Sequence, residues 1–260
     1  MKKIDILKAL RALFYRYMLP RQSICCLCEK TLYRFLPYQS GRYKEPALII
    51  ALDVVGSDIR QFECPWCGAH DRERHLYLYM QSMSLFSGLS NKKIIHFAPE
   101  KRLSTRIAQC QPKEYVRCDL FPKSSDIIRV DMLNMQFEDE TFDLLIANHV
   151  MEHVSDEFQA TEEIFRVLKP GGYAILQTPY SSKLNETWCD KGIDEDEMRL
   201  QAYGQEDHVR LYGRDIFTRF STSGLCPKVC AHNEILTDYK SIKYGVNERE
   251  PFFLFQRPLD

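Results

Sequence analysis

No stretch of the chain approaches the roughly 18 uninterrupted apolar residues of a bilayer-spanning helix, so none is expected. Neither charge dominates: 35 lysines and arginines face 36 aspartates and glutamates. A global basic field for gripping nucleic acid is therefore missing, and only a local patch remains open. The opening Met1-Lys2-Lys3-Ile4-Asp5 leads into no long apolar run and no small-residue cleavage site, so no secretory signal is expected. Internal repeats and low-complexity segments are also lacking. What is present is 260 residues with a 45% hydrophobic share, enough for one large domain, alone or with an appendage.

Residues 1–21 read as an amphipathic helix. Ile4, Ile6, Leu7, Leu10, Leu13, Phe14, Tyr17 and Met18 share a face, and Pro20 ends the run. Six basic residues against one acid give the segment a charge of about +5. Such a helix either docks on its own protein or lies on anionic lipid as a peripheral membrane contact.

Five of the ten cysteines fall in two tight clusters, Cys25-Cys26-Leu27-Cys28 and Cys64-Pro65-Trp66-Cys67-Gly68. Paired C-x-x-C hairpins present four thiolates tetrahedrally, and zinc suits that donor set. The expected ligands are Cys25, Cys28, Cys64 and Cys67; Cys26 could replace Cys25, and His70 is a further candidate. A closed four-cysteine site has a structural role, here stabilising a small zinc-ribbon-like lobe over residues 22–75. Reduced or metal-bound thiols and no signal point to a cytoplasmic setting, or a membrane-peripheral one if the helix meets lipid. Asp71-Arg72-Glu73-Arg74-His75 follows at once, read as a helix start laced by i,i+3 ion pairs. In the alternative reading, Arg72 and Arg74 hold a carboxylate or phosphate in a substrate cleft.

Leu76, Tyr79, Met80, Met83 and Phe86 extend helical spacing over 72–87, and from Lys92 strands alternate with helices. Strands are expected at 94–98, 115–118, 127–130, 142–147 and 173–177, with helices at 103–110 and 156–168. Pro170-Gly171-Gly172 breaks the second helix. Residues 180–207 look irregular, 212–223 helical, and 228–232 and 252–256 form two closing strands. This rhythm predicts an α/β fold, a doubly wound and mostly parallel sheet, over 76–260.

In such sheets ligands bind beyond the carboxyl ends of strands. The run FDLLIANHVMEHVSD…ATEEIFRVLKPGGYAILQTP resembles the fourth-to-fifth-strand segment of class I S-adenosylmethionine-dependent methyltransferases. The shared features are Phe142-Asp143, Glu152-His153, Leu168-Lys169-Pro170-Gly171-Gly172 and Thr178-Pro179. The resemblance implies a Rossmann-like domain binding S-adenosylmethionine through Phe97, Ala98, Pro99, Glu100, Asp119, Leu120, Asp131, Met132, Asn148 and His149. Asp119 would take the ribose hydroxyls and Asp131 the adenine amino group, with Met132 against the ring. The chain departs from the family at its first loop, where Ala98-Pro99-Glu100 replaces the usual glycines.

A hydroxyl acceptor needs alignment and proton removal, and His208 and His149 are the candidate bases. Arg72, Tyr180, Arg210 and Tyr212 are candidate acceptor contacts. The resemblance implies a methyltransferase, with O-methylation of a small molecule, sugar or cell-surface glycan precursor as the first reading. An RNA methyltransferase with a zinc module and a non-catalytic cofactor-binding scaffold are the alternatives. Oligomeric state is not legible.

Overall fold

The computed structural model describes residues 3–259. Residues 1 and 2 of the expected first helix lie outside them. Helix α1 (Lys3–Tyr17) leads into strands β1 (Ser23–Ile24) and β2 (Thr31–Leu32), then α2 (Ala47–Ala51), β3 (Val54–Val55) and α3 (Asp71–Ser82). The main layer begins with β4 (Lys93–Phe97), α4 (Lys101–Gln109), β5 (Glu114–Asp119) and β6 (Ile128–Arg129). It continues through β7 (Phe142–Ala147), α5 (Glu157–Val167), β8 (Leu168–Ile175), β9 (Tyr180–Ser181), α6 (Asp196–Tyr203) and α7 (Ile216–Phe220). Strand β10 (Cys226–Pro227), short helices α8 (His232–Ile235) and α9 (Ser241–Tyr244), and β11 (Leu254–Gln256) complete it.

The sheet order is β10-β11-β8-β7-β4-β5-β6. The strands from β8 to β6 run parallel, and β11 and β10 close the other edge antiparallel. Strand order reverses between β4 and β7, which is where a doubly wound sheet opens a crevice. Period-two alternation builds both faces. Ile95 and Phe97 join Leu145 and Ile164 of α5 on one side, while Ile94 joins Leu144, Leu103 of α4 and Tyr79 of α3 on the other. Each fully buried aliphatic side chain contributes about 1.5–3 kcal/mol. Asp156 caps α5, its carboxylate accepting the Phe158 and Gln159 N–H groups.

Several element boundaries differ from expectation. Strand β8 begins at Leu168, not Tyr173: Leu168 already pairs with Phe142, and Pro170-Gly171-Gly172 lies in an irregularity before Tyr173 pairs with Leu144. A Cβ on Gly172 would sit 2.8 Å from the Lys169 carbonyl, so the tight path needs glycine there. The expected 212–223 helix shrinks to α7, because Leu211 and Tyr212 bridge to Trp188 and Tyr180. The expected closing strand at 228–232 starts earlier and is broken: β10 lies at 226–227, Lys228 and Cys230 continue its antiparallel pairing with Leu254 and Phe252, and His232 opens α8. Residues 180–207 contain α6, whose Ala202 and Tyr203 pack with Ile49 and Leu211.

The cysteine pairs form a small lobe with its own apolar cluster around Leu32 and Phe35, but the chain between them does not stay within it. Residues between the cysteine pairs cross to the far side, where β3 pairs with β9 and Ile49 of α2 packs on Tyr203. Helix α3 runs through positions 75 and 76 and feeds the main core with Leu76, Leu78, Tyr79 and Met80. The ion pairs expected within Asp71–His75 are replaced by longer-range bonds. Arg74 is fully buried and donates to the carbonyls of Gln61, Phe62, Ala69, Tyr244 and Gly245. Glu73 accepts the N–H groups of Arg102 and Leu103 at the start of α4. Arg74 therefore rivets the cysteine region to the C-terminal segment. Arg74→Met leaves five carbonyls without that donor, and a loss of about 3–5 kcal/mol in urea unfolding is expected; a loss below about 1 kcal/mol would contradict the rivet.

Helix α1 docks through its basic side. Lys8 pairs with Glu63, Arg11 donates to the Ser40 carbonyl, and Arg16 donates to that of Pro65. Its apolar stripe points outward, with Leu7 69% and Leu10 57% exposed alongside Leu13 and Phe14. No helix among the described residues is long and apolar enough to cross a membrane.

Candidate functional site

The four cysteines come together. Cys25 Sγ lies 3.7 Å from Cys67 Sγ and Cys28 Sγ 3.9 Å from Cys64 Sγ, with all four sulfurs within 4.8 Å of one another. A zinc tetrahedron with bonds of about 2.3 Å has edges of roughly 3.8 Å, so the set fits. Matching turns present the sulfurs: Glu29 N–H bonds the Cys25 carbonyl and Gly68 N–H that of Cys64, with both turn residues at positive φ. Cys26 faces the Arg74 carbonyl instead, which selects Cys25. His70 precedes α3 as its N-cap and stacks on Phe62, so it is not a fifth candidate. Hydrogen bonding among the sulfurs raises the Cys25 thiol and lowers that of Cys28.

At the switch point, the strand tips gather the residues expected to meet the cofactor. Phe97 is buried at the end of β4, and Ala98 follows in the left-handed region at φ 45°, the turn a glycine would make. Pro99 then supplies no N–H donor. Glu100 is held in place: Oε2 lies 3.1 Å from His96 Nε2, and Oε1 accepts from Asn148 Nδ2 at 2.5 Å. Burial pushes its carboxyl upward, but the His96 bond and charge outweigh this and hold it below the usual value. Asp119 is half-buried at the end of β5 and Leu120 beside it is exposed, while Asp131 is exposed next to buried Met132. Each aspartate accepts one N–H two residues on, Phe121 and Leu133 respectively, which leaves its second oxygen available.

Beyond β7 lies a buried array. His149, at φ 56°, has Nδ1 3.4 Å from Glu152 Oε1 and Nε2 3.5 Å from Glu250 Oε1. Glu250 Oε2 is 3.1 Å from His75 Nδ1, whose Nε2 meets His232 Nδ1 at 2.9 Å. Burial alone would lower the His149 pKa, but Glu152 and Glu250 raise it to about 9. Burial disfavours both carboxylates, yet the His149 bond and charge hold each down at about 2. The two flanking carboxylates favour the charged form of His149, which does not suit the expected role as base. His208 donates Nδ1–H to the Tyr203 carbonyl, leaving a lone pair on Nε2. That lone pair faces Glu152 Oε1 at 4.0 Å, with the ring only 4% exposed, so His208 has no free approach to an acceptor.

Two expected acceptor contacts are occupied elsewhere. Arg210 donates to the carbonyls of Met151, Val154 and Ser155 and pairs with Glu157, which leaves it no free donor edge. Tyr212 lies in the core with its hydroxyl on the Met151 carbonyl. Arg72 and Tyr180 remain available: the Arg72 Nε is buried without a partner, and Tyr180 is half-buried on Phe217 and Phe253. Sequence reasoning missed Glu250, His75, His232 and Asp71. For Asp71 and His75, an i,i+4 pair on one face of α3, the spacing carried a signal; for Glu250 no local motif did.

Among the described residues, ten buried side-chain polar atoms lack a hydrogen-bond partner. Eight belong to Asp71, Arg72, Asn148, His149, Glu152, His208 and Glu250. Buried polar atoms are ordinarily paired, and four of these face one another as His149 Nε2 with Glu250 Oε1 and His208 Nε2 with Glu152 Oε1, so the cluster is the candidate ligand site. Asp71 carries one such oxygen, and burial lifts its pKa from 3.8 to about 6. The folded state then holds the proton more tightly, and stability falls as pH rises from about 3.8 to about 6. Asp71→Asn should therefore gain about 2–3 kcal/mol at pH 7 and almost nothing at pH 3.5, read by chemical unfolding at both pH values. Equal effects at both would contradict the burial argument.

Residues 92–176 match the family profile of a methyltransferase domain. An uncharacterised methyltransferase of Mycobacterium leprae is 35% identical over 57 residues, 22% of this chain and 21% of that protein. A chloroplastic tocopherol O-methyltransferase of Arabidopsis thaliana is 33% identical over 75 residues, 29% of this chain and 19% of that one. The aligned region thus spans only about a fifth of either relative. An S-adenosylmethionine-dependent methyltransferase from Mesorhizobium loti overlays with a TM-score of 0.45 at 14% identity, covering 68% of this chain and 96% of that one. The profile match covers β4 through β8, the strands that frame the switch point, so residues 92–176 are similar to a methyltransferase domain.

Proposed function

We propose that this chain transfers the methyl group of S-adenosylmethionine to an oxygen of a small-molecule, sugar or cell-surface glycan precursor. The observation that carries the reading is the set of unpartnered buried polar atoms gathered beyond the carboxyl end of β7 from that strand's tip, the start of α3, His208 and Glu250. When bound, the cofactor supplies an electrophilic methyl group on a sulfonium. Glu100 and Asn148 suit its amino-acid end, Asp119 the ribose, and Asp131 with Met132 the adenine. His149 orients the Glu152 and Glu250 carboxylates that flank it, and one of these would take the hydroxyl proton as the acceptor oxygen bonds to the methyl carbon and the carbon–sulfur bond breaks. Arg72, with an unpaired Nε, would hold an anionic group on the acceptor.

The outward apolar stripe of α1 supports an acceptor presented at a lipid surface, since so exposed a stripe on a folded chain calls for an apolar partner. Zinc in the four-cysteine cluster would tie the two knuckles together. The test is transfer of labelled methyl from S-adenosylmethionine to a panel of nucleotide sugars, lipid-linked sugars and RNA. Label in a sugar or lipid-linked acceptor is expected; label in RNA alone would overturn the acceptor class.

A further inference from the structure

We infer that Glu152, His153 and His208 form a binding site for a divalent transition-metal cation, separate from the cysteine cluster. One ligand atom from each lies within 4.8 Å of the others. Glu152 is 1% exposed and His208 4%; both Glu152 oxygens and His208 Nε2 lack a hydrogen-bond partner. Both imidazoles have their other nitrogen committed. His208 Nδ1 donates to the Tyr203 carbonyl at 3.0 Å, and His153 Nδ1 to that of Asp207 at 3.3 Å. A carbonyl only accepts, so each ring carries its proton on Nδ1 and its lone pair on Nε2. In this arrangement the His208 lone pair stands 4.0 Å from Glu152 Oε1 with His153 beside them, and Glu152 Oε2 has no partner at all. A cation would give these atoms the partner they lack, and carbonyl-anchored imidazole is the arrangement that orients histidine ligands on metals.

The scaffold around the three ligands is rigid. Glu152 and His153 sit on the turn Met151–His153 after β7, and Val209 N–H bonds the Glu152 carbonyl, which pins the His208 segment beside it. Arg210 clasps the same turn through the carbonyls of Met151, Val154 and Ser155. Ligand atoms around a single ion with bonds of about 2.1 Å stand roughly 3–3.5 Å apart, so closure from the 4.0 Å between Glu152 and His208 needs a small rotamer shift. Two imidazoles and one carboxylate suit Mn2+, Fe2+ or Zn2+, and three protein ligands leave positions open for an oxygen donor. The binding claim stands alone and does not rest on the methyl-transfer reading.

The experiment is titration of the zinc-loaded, full-length protein with Mn2+, reading free Mn2+ by electron paramagnetic resonance. Thiolates select softer metals, so Mn2+ reports on the nitrogen and oxygen donors. One equivalent per chain is expected, bound at least tenfold more weakly in His208→Gln and in His153→Gln. His153 is half-exposed, so its variant keeps the test meaningful if the buried substitution impairs folding. No uptake by the wild type, or equally tight uptake by His153→Gln, would overturn the site. S-adenosylhomocysteine binding, followed in the same samples, reports separately on the methyltransferase reading.

Discussion

Cys64→Ser is expected to release residues 22–70 from their folded state while the parallel sheet survives. Serine offers no soft thiolate, so the four-sulfur set loses a corner and its affinity for zinc. The apolar cluster beneath it is small: Cys25, Leu27, Leu32, Phe35, Cys64 and Ala69. Structural zinc contributes about 10–16 kcal/mol of apparent binding energy in comparable peptides, far more than this cluster could replace. The sheet has its own support in the two layers centred on Ile95 and Ile94, so its loss is not expected. Limited proteolysis should cut the variant between residues 22 and 70, metal analysis should find no zinc in it, and the sheet's circular dichroism should remain. A wild-type protein without stoichiometric zinc, or a variant as protease-resistant as wild type, would contradict the account. The Arg74 clamp ties the same segment to Tyr244 and Gly245, so loosening should spread to the α9 turn.

Glu100→Ala should weaken S-adenosylmethionine binding by about 2–3 kcal/mol, or roughly 30- to 150-fold. The carboxylate accepts from Asn148 Nδ2 and lies beside His96 Nε2, so its removal leaves two buried polar groups unpaired at the proposed amino-acid end of the cofactor. Glu100→Gln keeps an acceptor but loses the charge, and an intermediate loss is expected from it. Calorimetric titration of all three proteins checks the order. An alanine variant that binds as tightly as wild type would remove Glu100 from the cofactor site.

Much of the central layer was legible because its residues speak locally. Leu144–Ala147 is apolar without interruption after the single acid Asp143, and a strand of that kind is buried on both faces. The knuckles were legible from spacing alone, including the turn glycine at 68. The errors follow from interactions that no local pattern encodes. Arg210 stood in a loop with His208 and Asp207, which reads as a substrate clamp; its real partners are carbonyls more than fifty residues upstream. Helix α6 buries little besides Ala202 and Tyr203, so its polar sequence hid a packed face. Strand β8 starts early because pairing with Phe142 tolerates an irregular Pro-Gly-Gly path that ordinarily signals a break. Glu250 reaches the site only because the chain returns along β11 to pair with β8. The first-loop departure proved local: Ala98 takes the left-handed turn itself.

Titration calorimetry with S-adenosylhomocysteine on the folded full-length protein tests the central claim most directly. The account predicts one site per chain, a rise in unfolding temperature at saturation, and clear weakening in Glu100→Ala. No heat and no shift in unfolding temperature at saturating ligand, with the sheet intact, would contradict it.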